Sequence, residues 1–99
     1  MSRLLDADEI TRQLADLPGW TGDTANLSHR VTAPTFVAAI SIVDEVAEVA
    51  EEMDHHPDID IRWRTLRFEL STHSAFGVTQ LDIELAHRIS AIAAAHGAS

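Results

Sequence analysis

The sequence predicts an α+β domain in which an antiparallel four-stranded sheet is covered on one face by three helices. Apolar residues recur at helical spacing in three stretches, and extended stretches lie between them in two pairs, so the order along the chain is αββαββα. No Pro/Gly/Ser-rich linker divides the 99 residues, which is a usual length for one compact domain. We therefore expect a single domain over residues 1–99.

The N-terminal part of the chain predicts a short helix followed by a hairpin. Over residues 6–17 apolar side chains recur at spacings of four and three, and Pro18 and Gly19 stop this pattern. Trp20 opens an extended segment, and its large ring is expected to pack in the core. After a turn, residues 27–31 alternate apolar and polar side chains, as a half-buried strand does.

A long helix is predicted from Pro34 and Thr35 towards Asp54. Its apolar residues form two adjoining stripes that together cover about half of the helix circumference, which is more than one sheet face requires. One of these stripes contains four large residues: Ile42, Val46, Val49 and Met53. We expect this stripe to contact another subunit in a homodimer or homotetramer.

Two further strands and a last helix complete the predicted order. Residues 59–63 and 66–70 alternate apolar with polar side chains, so both stretches are expected to be half-buried strands, with Trp63 as a packing residue. Thr79 is a suitable N-cap for the last helix, and Gly97 is suited to end it.

Charge and composition exclude several classes of function. Seven basic and 16 acidic residues give a formal charge of −9 at pH 7, so direct binding of nucleic acid is not expected. The chain has no cysteine, which excludes disulfide and thiolate chemistry and suits the reducing cytoplasm. We expect no signal peptide and no membrane span, because the first residues lack an apolar run and no stretch approaches ~18 apolar residues.

The reactive side chains are concentrated in one part of the sequence, and their order and spacing form one pattern: Glu51-x-x-x-His55-His56-Pro57, then Trp63, His73 and Asp82. This pattern resembles the signature of the pterin-4a-carbinolamine dehydratase family at every position. The resemblance also takes in Trp20, the strand end at 71–73 and the segment 81–86, so it covers most of the chain.

The three histidines suit dehydration chemistry. His55 and His56 follow the end of a helix and His73 ends a strand, so the three imidazoles can converge. Neutral and protonated histidine coexist near pH 7, and such a cluster can donate a proton to one atom and accept a proton from another. A hydroxyl leaves as water only when an acid protonates it, and a base must take the proton from the neighbouring ring nitrogen.

The resemblance implies a hydro-lyase that converts a 4a-hydroxytetrahydropterin, such as 4a-hydroxytetrahydrobiopterin, into quinonoid dihydropterin and water during tetrahydropterin recycling. It implies no cofactor and no metal. It also implies that His55, His56 and His73 line the pterin pocket. We assign His55 and His73 as proton donors to the leaving hydroxyl from the two ring faces, and His56 as binder and base.

Five further residues are expected to contribute to substrate binding: Glu51, Asp54, Ser71, Thr72 and Asp82. Three of them also have structural interpretations. Asp82 stands three residues after Thr79, which is the spacing of a helix capping box. Glu51 also fits a solvated acid on the helix surface, and Asp54 is placed to tune its neighbour His55.

Two alternatives compete with the dehydratase. Some members of the resembling family act as dimerisation partners of transcription regulators, and a module of this kind would use the helix over residues 35–53. The three histidines also suit zinc or nickel. We favour the dehydratase because neither alternative explains the whole pattern.

The sequence departs from the family pattern near the expected pocket. Phe76 and Gly77 stand where many members have two glycines, and the Phe76 ring can narrow access for a substituted pterin.

Overall fold

The computed structural model describes residues 3–99 and confirms the predicted element order. The elements are α1 (Ala7–Leu14), β1 (Thr21–Gly22), β2 (Leu27–Thr32), α2 (Phe36–Met53), β3 (Asp58–Arg62), β4 (Thr65–Leu70) and α3 (Gln80–Ala95), with a single 3₁₀ turn at His73–Ala75 before α3. The strands lie in the order β1-β2-β4-β3, and every neighbouring pair is antiparallel.

The two faces of the sheet differ in chemistry, as the alternating pattern predicts. Leu66 and Phe68 of β4 are completely buried, and the strand register sets Val31 of β2 beside Leu66. On the opposite face of the same two strands, Arg30 and Arg67 are exposed and lie directly across from each other. The helices therefore cover the apolar face, while the polar face meets solvent.

Local capping interactions fix the ends of the helices. The Thr35 hydroxyl accepts a hydrogen bond from the N–H of Ala38 at 3.0 Å, which satisfies one of the free N–H groups at the start of α2. Thr79 is the N-cap of α3, and Gly97, in left-handed conformation, follows its end. Across residues 3–99, none of these helices combines the length and the apolar character that crossing a bilayer requires.

The predicted subunit-contacting stripe of α2 was wrong. Ile42 and Val46 are completely buried in the core of the single chain, and Val49 and Met53 pack partly against that core. The prediction counted only the sheet as a partner for α2, whereas α2 also packs along α3, so this stripe is largely covered within one subunit. Self-association stays a prediction, but this stripe no longer supports it.

The expected packing role of Trp63 was also wrong. The strand β3 ends at Arg62, and Trp63 adopts left-handed backbone angles in a tight turn with 71% of the residue exposed. The guanidinium carbon of Arg64 lies 4.8 Å from the centre of the Trp63 ring, as in a cation–π contact. Trp20, in contrast, is buried as predicted, and its indole N–H donates to the Ser90 hydroxyl at 2.8 Å.

Candidate active site

The end of α2 turns His55 into the interior. Asp54 adopts left-handed backbone angles (φ 50°, ψ 44°), and its N–H donates to the carbonyl of Glu51 at 3.2 Å. The N–H of His55 then donates to the carbonyl of Ala50 at 3.0 Å. This turn leaves only 8% of His55 exposed, and Pro57 follows it as the chain enters β3.

The carboxylate of Asp82 connects three segments of the chain. Its Oδ1 lies 2.6 Å from Nε2 of His55. Its Oδ2 accepts a hydrogen bond from the Thr72 hydroxyl at 2.8 Å and another from the backbone N–H of Thr79 at 2.9 Å. The hydroxyls of Thr72 and Thr79 are themselves 2.7 Å apart. The end of α2, the end of β4 and the start of α3 therefore meet at one carboxylate.

Asp82 is completely buried, and its surroundings offset the cost of that burial. Removing an isolated carboxylate from water costs several kcal/mol, but three donors and the N-terminus of α3 stabilise this one. The Thr79 hydroxyl also accepts from the N–H of Leu81, so the capping arrangement forms as predicted. Because Asp82 has no exposed surface on which a ligand can rest, its effect on a substrate has to pass through His55.

The contact with Asp82 determines which nitrogen of His55 is available for proton transfer. An ionised carboxylate only accepts hydrogen bonds, so the bond to Asp82 requires a proton on Nε2. In the neutral ring this leaves Nδ1 without a proton, so Nδ1 accepts a proton, and it donates one only from the imidazolium form. The carboxylate thus fixes both the ring orientation and the tautomer of His55.

His56 points the other way. It pairs through Nε2 with Glu51, one turn earlier in α2, and the His56 and Glu51 side chains are 56% and 76% exposed. Exposed ion pairs contribute only ~0–1 kcal/mol, so a ligand can displace this contact at little cost. His56, Glu51 and the exposed Asp54 therefore form an accessible polar rim beside the buried His55.

His73 is exposed at the start of a short loop. The loop is closed at its base by two backbone hydrogen bonds between Thr72 and Gly77, at 2.9 and 3.4 Å, and Ser71 just before it is half-buried. Phe76 occupies the last position of the loop with φ 62° and ψ 36°, and 92% of the residue is exposed. The loop thus exposes the His73 imidazole and the Phe76 ring to solvent. Thr72, which closes the loop, also bonds to Asp82.

The structure brings some of the predicted site residues together and separates others. His55, Thr72 and Asp82 share one buried network, and His73 is the next residue after Thr72. His56 and Glu51 lie outside that network as a separate exposed pair. Within residues 3–99, no three His, Asp or Glu side chains are arranged to hold a metal ion, so the geometry gives the zinc or nickel alternative no support.

The sequence pattern missed two features of this network. Thr72 was expected to bind substrate, but its hydroxyl bonds to Asp82 and Thr79. Thr79 was predicted only as a helix cap, although its N–H donates to the carboxylate that holds His55. The spacing of Thr79 and Asp82 did signal that bond, whereas no local pattern signals the contact of Thr72 with Asp82.

The fold and the site define a class: a small α+β protein in which a buried histidine–aspartate pair joins two helices to the end of a strand. The family model described as pterin 4 alpha carbinolamine dehydratase matches residues 3–92. A relative from Nocardia farcinica is 53% identical over 92 residues, covering 93% of this chain and 97% of its own length. A relative from Mycolicibacterium smegmatis is 48% identical over 89 residues, covering 90% and 95%. Both are provisionally named pterin-4-alpha-carbinolamine dehydratases. The chain belongs to the pterin-4a-carbinolamine dehydratase family.

Solved structures agree with this assignment. A crystal structure of a transcriptional coactivator/pterin dehydratase from Brucella melitensis superposes with a TM-score of 0.89 at 31% identity, covering 92% of this chain and 99% of that one. A pterin dehydratase-like protein identified as a RuBisCO assembly factor in the alpha-carboxysome matches with a TM-score of 0.63 at 20% identity, covering 75% and 86%. The second likeness supports the fold alone. Family membership and the Brucella structure support a pterin dehydratase activity.

Proposed function

We propose that the protein removes water from a 4a-hydroxytetrahydropterin and returns quinonoid dihydropterin to the tetrahydropterin cycle. The observation that carries this proposal is the buried His55–Asp82 pair. The exposed His56 follows His55 in sequence, and the exposed His73 follows Thr72, whose hydroxyl bonds to Asp82. An acid–base elimination needs one group that donates a proton and one that accepts a proton. An oriented imidazole and accessible imidazoles can fill these roles. Family membership supports the same substrate class.

The reaction requires one proton to be delivered and one to be removed. The bond between C4a and the hydroxyl oxygen breaks as an acid protonates that oxygen to water, and a base takes the proton from the neighbouring ring nitrogen as the C=N bond forms. We assign proton donation to His55 and His73, one for each face of the pterin ring. For His55 the donating atom is Nδ1 of the imidazolium form, because Nε2 keeps its proton in the bond to Asp82, and donation returns the ring to the neutral form. Donation and removal balance, so no oxidant or cofactor is consumed.

We assign binding of the pterin and removal of the ring proton to His56. Its ring is accessible, and its contact with Glu51 orients it on the rim of the site. Glu51, Asp54 and Ser71 are accessible enough to bind the polar edge of a pterin, whereas Thr72 contributes by holding Asp82. In this arrangement Thr72 and Asp82 hold His55 in position, and the exposed residues of the rim contact the substrate.

A direct dehydration assay tests the proposal. The 4a-hydroxy derivative of tetrahydrobiopterin is generated in situ, and its conversion to the quinonoid product is followed by rapid-mixing absorbance against the spontaneous rate. We expect the wild type to accelerate the reaction and His55→Ala/His56→Ala/His73→Ala to abolish the acceleration. The matched control is His96→Ala, because His96 lies about 20 Å from Asp82 along α3 at a rise of about 1.5 Å per residue. No acceleration by the folded wild type would refute the proposal.

A second candidate is a protein-binding module, favoured by the coactivator part of the Brucella protein's name. Phe36 and Val37 at the start of α2 are 49% and 73% exposed, which gives such a partner or a second copy of the chain an apolar contact. The double variant Phe36→Ser/Val37→Ser separates the two functions. If it keeps its activity and its mass in light scattering changes, these residues serve self-association and the histidines serve catalysis. An inactive wild type that still self-associates would favour the binding module alone.

A further inference from the structure

Two arginines face each other on the solvent side of the sheet, which the proposed reaction does not use. Arg30 of β2 and Arg67 of β4 are register partners, and both are exposed. Residues that are register partners, or that lie two positions apart on one strand, share a face of the sheet. Ser28 and its partner Thr21 on β1 therefore lie on the same face as the arginines. These four side chains form one polar surface.

The backbone hydrogen bonds show that the two arginines form a closely spaced pair. Thr32 exchanges both of its backbone hydrogen bonds with Ser99, at 3.0 and 3.1 Å, so its N–H and C=O point away from β4. The N–H and C=O of Arg30, two positions earlier, point the same way. Arg30 and Arg67 are thus a non-hydrogen-bonded pair, in which side chains approach most closely. Like charges in that relation destabilise a sheet.

A cavity of about 380 Å³ adjoins this pair, at the lower end of the ~300–1,000 Å³ that small-molecule sites occupy. The four polar side chains line it, and Gly19 and His29 complete its wall at the edge of the sheet. The His29 ring belongs to the other face, where its Nδ1 donates to the carbonyl of Gly19 at 2.9 Å. Among the described residues that line the cavity none is acidic, although the chain has a formal charge of −9. The cavity is therefore a local cationic site.

Neighbouring carboxylates compensate the charge of the arginines only in part. Glu69 lies 3.8 Å from Arg67, and Asp60, the partner of Arg67 on β3, bonds instead to Arg62 at 3.3 Å. In the described part of the chain, Arg30 forms no ion pair. The Ser28 hydroxyl accepts a hydrogen bond from Nε of Arg67 at 3.4 Å, which leaves its own proton to donate to a ligand. An anion in the cavity would relieve the repulsion between the arginines.

We infer that this cavity binds a phosphate dianion, either free or as the end group of a small monoester. Phosphate carries close to two negative charges near neutral pH, which match the two facing cations, and its oxygens can accept from both guanidinium groups and both hydroxyls at once. A carboxylate has one charge and two oxygens, so it would leave part of the repulsion in place. None of the lining residues belongs to the histidine site. The inference therefore does not depend on the proposed dehydration.

Binding is tested by titration of ¹H–¹⁵N spectra at constant ionic strength and at about pH 7.5, where phosphate is mainly the dianion. The probes are inorganic phosphate, glycerol 3-phosphate, acetate and glycerol. We expect both phosphates to shift the amide signals of Thr21, Ser28, Arg30 and Arg67, and inorganic phosphate to bind about tenfold more tightly than acetate. Glycerol should shift none of these signals. Tighter binding of glycerol 3-phosphate than of inorganic phosphate would identify a monoester as the ligand, and equal or weaker binding would identify free phosphate.

Variants of the charged side chains test the site from both directions. Arg30→Gln and Arg67→Gln should each weaken binding of inorganic phosphate about tenfold. Glu69→Gln removes the carboxylate beside Arg67 and should strengthen binding about two- to fivefold. Arg12→Gln is the control, because it removes the same charge from an exposed position of α1, and the helices cover the opposite face of the sheet.

The two arginine variants should keep the fold, because both side chains are exposed and the repulsion between them is removed. Circular dichroism checks this. Equal binding of phosphate and acetate, signal shifts spread evenly over all arginines of the chain, or wild-type affinity in Arg30→Gln would overturn the inference. A loss of affinity in Glu69→Gln would overturn it as well. If Arg12→Gln weakened phosphate binding as much as Arg30→Gln, only the net charge of the chain would matter, and the site would be refuted.

Discussion

Oδ1 of Asp82 and Nε2 of His55 are 2.6 Å apart, although 27 positions of sequence separate the two residues. The same carboxylate also receives the Thr72 hydroxyl and the N–H of Thr79, so it stabilises the start of α3 and orients a histidine at the same time. A structural role and a functional one are therefore combined in a single side chain. The first two predictions separate them.

Asp82→Asn keeps the shape of the side chain but removes its charge. We expect kcat for dehydration to fall about 10- to 100-fold, as is common when an orienting partner is removed, with a smaller change in KM. The reason is that the amide can donate to His55 and favour the wrong tautomer. Steady-state kinetics and circular dichroism measure the effect. Asp60→Asn, on the exposed sheet face, is the control and should leave both values unchanged. Wild-type kcat in a folded Asp82→Asn protein would contradict the role of Asp82.

Thr72→Val replaces a buried hydroxyl by a methyl group of similar size. Because it removes one donor from a buried carboxylate, we expect the free energy of unfolding to fall by about 1–3 kcal/mol. Urea unfolding measures this value. Thr32→Val makes the same exchange at an exposed strand position and should change the free energy by less than about 0.5 kcal/mol. Equal effects of the two substitutions would show that the Thr72 hydroxyl does not stabilise Asp82.

The histidines should differ in kinetic effect because we assign them different roles in the reaction. His55→Ala and His73→Ala are expected to lower kcat more than they raise the dissociation constant for a pterin product, since we assign both to proton donation. His56→Ala should also weaken pterin binding, because we assign binding of the pterin to this ring, which lies exposed on the rim. Single-turnover kinetics and fluorescence titration separate the two quantities. Equal losses of kcat and affinity in all three variants would remove this division of roles.

Most of the fold could be predicted because its signals are local. Alternation in β4, the start of α2 near Thr35 and the cap at Thr79 depend on residues a few positions apart, and these predictions were confirmed. The position of Trp63 could not be predicted, because a left-handed turn at a residue other than glycine leaves no mark in the hydrophobic pattern. The burial of the α2 stripe could not be predicted either, because α2 packs along α3, which begins some 40 residues after Ile42 in the chain.

The members of the site could be predicted better than their arrangement. Three of the predicted site residues, His55, Thr72 and Asp82, meet in one network, and His73 follows Thr72 in sequence. The left-handed turn at Asp54 decides that His55 faces inward while His56 faces solvent, and no property of two adjacent histidines encodes that difference. The contact of Thr72 with Asp82 likewise depends on how β4 meets α3.

Glu9 provides a prediction about pH. It accepts hydrogen bonds from Arg3 at 3.0 and 2.7 Å and from the N–H of Asp6 at 3.1 Å, and these contacts, first that with Arg3, lower its pKa from 4.5 to about 2. A pKa lowered by folding contributes stability above the unfolded value that is lost as pH falls through the folded value. Glu9→Gln should therefore reduce the loss of stability between about pH 4.5 and 2, measured by urea unfolding. Glu84→Gln, at an exposed position of α3, is the control, and equal pH profiles for Glu9→Gln and wild type would refute the contribution.

Phe76 gives the last prediction, which joins backbone strain to substrate choice. Its φ of 62° favours glycine, and 92% of the residue is exposed, so Phe76→Gly removes strain and loses little packing. Glycine also makes the unfolded chain more flexible, which lowers the free energy of unfolding and offsets part of the relieved strain. We expect a net gain of about 0.5–1 kcal/mol in the free energy of unfolding. Ala75→Gly, one residue earlier in the 3₁₀ turn, adds the same flexibility without relieving a positive φ and should lower the free energy instead. Because Phe76 shares its loop with His73, we also expect Phe76→Gly to raise the relative kcat/KM for pterins with bulkier side chains. A stability gain without a change in that ratio would mean that the ring points away from the bound pterin, and a stability loss would contradict the assignment of strain.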